Sequence, residues 1–173
     1  MNIIVDSNEK AQAITKILSY FKKQGIEYER KRLNVGDYML PENPLLSIDR
    51  KQNLSELYSN LCHDKKRFKN EFERAKSAGI KLIILCEHGE GINRLLDVKK
   101  WVNPRATESK FAWNGDKLFR EIYFWIKRYD SEILFCDKGD TGRKIIEMLT
   151  IASKEFLDSK GCENATQRIC QNT

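Results

Sequence analysis

Two acids and a lysine bracket one short stretch of this chain. Asp37 follows Gly36, a short apolar run intervenes, and Asp49 stands two residues before Lys51. Side chains alternate along a strand, so Asp49 and Lys51 project to one face. If the segments starting at Gly36 and Leu45 pair as a hairpin, Asp37 lies across from Asp49. Asp6 ends a further β-branched run, "NIIVD". Taken singly, an acid at a strand end is a solvated charge. Gathered together, carboxylates repel and raise one another's pKa unless a cation sits among them. A hard divalent ion such as Mg²⁺ fits, because it binds through one or two carboxylates and keeps water or phosphate oxygens for the rest. Lys51 beside it would steady an attacking water or the charge developing on phosphorus. The chemistry expected of such a set is metal-dependent phosphodiester cleavage.

Positioning these groups requires a sheet. Residues 2–6 read as a buried strand, and 9–25 as a helix with Ile14, Ile17, Leu18 and Phe21 on one face and Gly25 as its stop. Residues 26–33 alternate like a partly exposed strand, and "DYML" and "LLSID" flank the turn "PENP". Residues 53–79 read as helical, with a pattern that weakens near His63 and Asp64, where the helix can kink or break. The run 80–87 is the strongest buried strand, 88–116 is irregular, 116–129 is helical, 131–137 is a strand, and 141–157 is a last helix. The order β-α-β-β-β-α-β-α-β-α predicts an α/β fold with a central mixed β-sheet and helices on both faces.

Bulk properties set limits. The 173 residues suit one compact domain, expected over 1–157 with a flexible polar tail at 158–173. A net charge of +6 is compatible with a polyanionic partner and demands none. Five cysteines without a CxxC pair read as reduced structural thiols. The sequence lacks a signal peptide pattern and a membrane-length apolar run, so a soluble, intracellular, DNA-associated or cytoplasmic protein is expected, with no membrane partner.

Three motifs, "VDSNE", "VGDY" and "IDRKQNLSEL", in this order and spacing, resemble the nuclease domain of the XPF and Mus-type structure-specific endonucleases. Asp6, Glu9, Gly36, Asp37, Arg50 and Lys51 match that pattern by identity. Asp49 replaces a Glu, and Ser55 stands where a final Asp is expected, with Glu56 beside it. Arg67 suits the family's basic residue on the following helix. The resemblance implies a restriction-endonuclease-like core, cleavage of DNA at branches and junctions, Mg²⁺ or Mn²⁺ as cofactor, and a dimer formed through this domain. It assigns catalysis to Asp6, Asp37, Asp49 and Lys51, and metal binding to Asp37, Asp49, Asp6 and Glu9. Arg50 and Arg67 would bind substrate. The basic run 65–76 adds Lys65 and Lys69, as a phosphate-contacting surface or a solvated face. A non-catalytic subunit of the same fold, binding DNA or scaffolding a partner, is the alternative that Ser55 keeps open.

Two further features stand out. In the helix at 116–129, Phe119, Tyr123 and Phe124 extend the apolar face round the cylinder, which fits either a homodimer interface through the C-terminal helices or deeper burial. The segment 99–113 mixes cations with Trp101, Phe111 and Trp113. It could stack on unpaired bases, or be a loop pinned by its aromatics.

Overall fold

The computed structural model describes residues 1–153. The expected tail at 158–173 and the end of the last helix lie outside the described residues. Six strands form one mixed sheet: β1 (Asn2–Asp6), β2 (Glu27–Lys31), β3 (Tyr38–Leu40), β4 (Asn43–Lys51), β5 (Lys81–Glu87) and β6 (Glu132–Cys136), in the order β2-β1-β3-β4-β5-β6. β3 runs antiparallel to both β1 and β4, while β1–β2, β4–β5 and β5–β6 are parallel pairs. The α/β architecture expected from the sequence is the one observed.

Strand parity divides the apolar residues between two cores. Ile83 and Leu85 of β5 join Ile3, Val5, Tyr38 and Ile48 on the face covered by α1 (Ala11–Lys23) and α5, the helix over 141–153. Leu82, Ile84 and Cys86 face the other way, into a core built by α2 (Leu54–Cys62), α3 (Lys65–Ser77) and α4 (Gly115–Arg128). β5 is apolar on both sides because both are covered, which is the usual condition of an interior parallel strand.

The helical stretch over 53–79 breaks where its pattern weakens, at His63 and Asp64, into two helices, which lets Phe68 and Phe72 of α3 pack edge-on to each other beside Trp125. β2 is exposed along its whole length. It is one of the two outer strands of the sheet, and neither of its faces has a full layer to bury against.

The irregular stretch after β5 contains two 3-10 turns, Leu95–Lys100 and Pro104–Thr107. At the start of α2, Asn53 caps the helix by accepting from Glu56 N at 2.8 Å, and Glu56 accepts in return from Gln52 N at 2.8 Å. These two bonds end β4 sharply and turn the chain one residue after Lys51.

Candidate active site

The register of the sheet lines up the acids. β1 meets β3 with Val5 opposite Tyr38, and β3 meets β4 with Tyr38 opposite Ile48. One step further along, the same register sets Asp6, Asp37 and Asp49 in a row across three strands. Backbone bonds hold that extension: Asp6 N donates to Asp37 O, and Asp37 N donates to Ile48 O, both at 2.7 Å. All three acids are on the face opposite α1 and α5, because their neighbours Val5, Tyr38 and Ile48 occupy that other core. Lys51 shares the face of Asp49.

The turn that delivers Asp37 depends on Gly36. Its φ is +66°, and a Cβ there would meet Ile48 O at 2.9 Å and the Ser47 hydroxyl closer still. Only glycine fits both the left-handed backbone and the close approach. The next residue is then fixed by its own carboxylate, since Arg50 N donates to Asp37 Oδ2 at 2.7 Å.

Asp49 and Lys51 are both buried and in contact. The Lys51 ammonium donates to Asp49 Oδ1 at 2.8 Å and lies 2.6 Å from Oδ2. The directed bond goes to Oδ1, and Oδ2 is left buried without a hydrogen-bond donor of its own. Burial, then the charges of Asp49 and Glu9, pushes the Asp37 carboxyl well above the usual range. Burial raises Asp49 too, with Lys51 opposing it. Burial works against the Lys51 charge, but Asp49 and Asp37 more than offset it and hold its pKa above the ordinary lysine range.

These groups open on a cleft of about 490 Å³. α3 supplies its far wall with residues on one stripe at i, i+4 and i+7: Arg67, Glu71 and Arg74. Glu71 accepts from Gly36 N at 3.0 Å, and Arg74 donates to Asn34 O at 2.9 Å, so the helix grips the turn that carries Asp37. Burial and the nearby Asp49 raise the pKa of Glu71. Sequence reasoning missed Glu71 and Arg74, although the stripe running on from Arg67 was visible. Arg32 at the end of β2 also lines the cleft.

Not all the expected residues converge. Asp6 lines the cleft, but its Oδ1 accepts from Leu33 N at 3.0 Å and secures the chain leaving β2. Arg50 points to the opposite face. Its guanidinium pairs with Glu9 at 2.9 Å and with Glu87 of β5 at 3.1 Å, both from a side chain that is 1% exposed. Arg67 lines the cleft with its side chain 75% exposed and its guanidinium 3.9 Å from Asp64. Lys65 instead lies over Trp125 and 3.8 Å from Glu121, and Lys69 pairs with Glu73 at 3.0 Å. Ser55 lines a neighbouring cleft with Asn53, Glu87 and His88.

A family model for the ERCC4 domain matches residues 5–138, a span that holds every one of these groups. The chain belongs to the ERCC4 domain family. Among solved structures, XPF from Aeropyrum pernix superposes with a TM-score of 0.64 at 17% identity, covering 93% of this chain and 69% of that one. XPF from the same organism in complex with DNA gives 0.62 at 17% identity, covering 89% and 66%. At this identity the likeness establishes the fold. No curated protein matches the chain. ERCC4 domains are nuclease domains that generally work with divalent metals.

The residues here fit such a cation in part. Among the described residues, no three or more His, Cys, Asp or Glu side chains converge as a complete cage. The site does offer hard oxygen donors on adjacent strands, with the Asp37 and Asp49 carboxyls raised chiefly by burial. That is the two-carboxylate, water-rich setting that Mg²⁺ favours.

Proposed function

We propose that this ERCC4 domain is a metal-dependent DNA endonuclease that hydrolyses phosphodiester bonds in branched or junction DNA, with Mg²⁺ or Mn²⁺ held by Asp37 and Asp49. The observation that carries the reading is the placement of Asp37, one residue before β3, beside Asp49 of β4, with Lys51 in contact with Asp49, at the floor of a cleft walled by arginines. Asp37 is tied there by its N donating to Ile48 O and by its Oδ2 accepting from Arg50 N, both at 2.7 Å. When bound, the cation supplies neutralising charge at the scissile phosphate and acidifies water.

The chain's own groups do the remaining work. Asp37 and Asp49 orient the cation. Lys51, held at Asp49, donates to the oxygen on which negative charge grows in the transition state. Arg67, Arg74 and Arg32 bind the phosphates on either side and fix the strand in register. Glu71 keeps the Gly36 turn in place. Asp6 and Glu9 complete the negative field. The likeness to a DNA-bound XPF supports DNA as the substrate. Tyr123, Phe124 and Leu134, exposed on α4 and β6, support a homodimer through the C-terminal elements.

The test compares the parent protein with Asp37→Asn on labelled duplex, flap, fork, four-way-junction and single-stranded DNA with Mg²⁺ or Mn²⁺. Cleavage by the parent alone, fastest on a branched substrate, is the expected result. DNA binding by both proteins with cleavage by neither would overturn the catalytic reading and leave a non-catalytic DNA-binding subunit.

A further inference from the structure

The segment joining β5 to α4 carries the two most exposed large apolar side chains among the described residues, Phe111 at 81% and Val102 at 79%. Its other aromatics turn inward. Trp101 is buried, and Trp113 packs edge-on against Tyr58 with ring centres 5.6 Å apart. Asn103 straps the loop: its amide donates to Trp113 O at 2.9 Å, and its Oδ1 accepts from Arg105 N at 3.0 Å. The two tips are therefore presented by a tied backbone.

Single exposed apolar residues are ordinary on a protein surface. These two stand among cations of a particular kind. Lys110 lies over the Phe111 ring at 5.4 Å, Lys99 over Phe119 at 4.7 Å, and Arg105 meets His63 Nε2 at 3.0 Å. Lys99 and Lys110 rest on rings and Arg105 on an imidazole nitrogen, so none of the three is matched by a carboxylate among the described residues, whereas Arg94 and Lys100 are matched by Asp97. Position adds a further constraint. Val102 lines a cleft of about 480 Å³ with Asn53, Ser55, His88, Lys100 and Trp101. Asn53 and Ser55 lie on the first turn of α2, and Glu56 beside them lines the catalytic cleft. The two clefts meet across one helix end.

We propose that this segment is a stacking platform for the unpaired arm of a branched DNA, with bases on Phe111 and against Val102 and phosphates on Lys99, Arg105 and Lys110. The proposal rests on the DNA-directed reading of the catalytic cleft. An unpaired strand is the occupant because its base faces are free to stack, whereas those of a duplex are covered by their neighbours.

The test is fluorescence anisotropy of the full chain in EDTA, where cleavage is stopped, with a labelled oligothymidylate, a forked DNA and a blunt duplex. The Phe111→Ala/Val102→Ser protein should lose about fivefold to a hundredfold in affinity for the oligothymidylate and the fork. Duplex binding, carried by phosphates elsewhere, should change by less than about twofold. Phe111→Trp, which keeps a stacking face, should bind at least as tightly as the parent. Both side chains lie largely in solvent, so an unchanged melting curve verifies folding. No loss, an equal loss on all three DNAs, or a parent that does not bind oligothymidylate would overturn the platform. The selective pattern without any cleavage would sink the nuclease reading alone; cleavage with unaltered Phe111→Ala/Val102→Ser binding would sink the platform alone.

Discussion

Replacing Arg50 by methionine separates two roles that the sequence motif does not distinguish. A phosphate-binding arginine must reach solvent, but this guanidinium is buried between Glu9 and Glu87. Burial opposes its charge, and the two carboxylates overcome that and raise its pKa. In Arg50→Met, Glu9 is 17% exposed and can turn to water, whereas Glu87 is 2% exposed and retains only the Thr141 hydroxyl at 2.8 Å. Breaking a buried pair from one side costs about 3–5 kcal/mol. For a chain of this size that corresponds to a fall in Tm of roughly 6–20 °C. Urea denaturation should show the lower midpoint, and Arg50→Met/Glu87→Leu should recover most of it, since removing both charges is close to neutral. Arg67→Ala is the contrasting change, with stability held within about 0.5 kcal/mol and weaker DNA binding. An Arg50→Met protein as stable as the parent to within about 1 kcal/mol, but deficient in DNA binding, would refute the buried clamp and return Arg50 to the substrate.

The other predictions concern the cleft. Asp37 has a folded pKa above its unfolded value of 3.8, so its contribution is favourable below that pH and is lost as pH rises through the folded pKa. Asp37→Asn should therefore be inactive yet more stable than the parent at neutral pH, the two converging in acid, as read by melting at several pH values. Mg²⁺ at ten times its Kd should stabilise the parent by about 1.4 kcal/mol, raising Tm by a few degrees, and should leave Asp37→Asn unmoved. Gly36→Ala forces a left-handed backbone and a contact at 2.9 Å with Ile48 O, so it should cost more than about 2 kcal/mol in a denaturant titration. Glu71→Gln keeps an acceptor for Gly36 N and should retain cleavage within a few fold, whereas Glu71→Ala should lower kcat about tenfold with KM little changed.

How much of this was legible beforehand varies with how local the determinant is. β5 could be read from "IKLIILCE" because two covered faces leave an unbroken apolar run. The hairpin and the facing of Asp37 on Asp49 followed from strand period and turn residues alone. The parity that puts Asp49 and Lys51 together also sends Arg50 to the other side. What waits for it there could not be read, since Glu87 lies thirty-seven positions away, on a strand whose neighbour is set by topology. Glu71 was hidden similarly: its stripe is visible on the helix, but the turn it grips is chosen by how α3 crosses the sheet. The break between α2 and α3 was only a weakening of the pattern, because Phe68 and Phe72 continue a helical period across it.

One face of the sheet explains why these groups cluster where they do. Under α2 and α3 the residues of β5 pointing that way are Leu82, Ile84 and Cys86, all fully packed. Moving toward the C-terminal end of β4, the same face presents Asp49 and Lys51, buried but charged. Lys51 packs on the Phe68 ring at 5.1 Å, but beyond it the Asn53 cap starts α2 just past Lys51 and α3 turns its polar Arg67–Glu71–Arg74 stripe to the gap, which leaves a cleft. The end of a parallel strand pair is where open α/β sheets leave a crevice for ligands. Packing alone would favour filling it with leucine, since each buried like charge is unfavourable. The departure from that rule is confined to one end of the sheet, between two apolar cores that hold it rigid, and this is the distribution expected of a functional site.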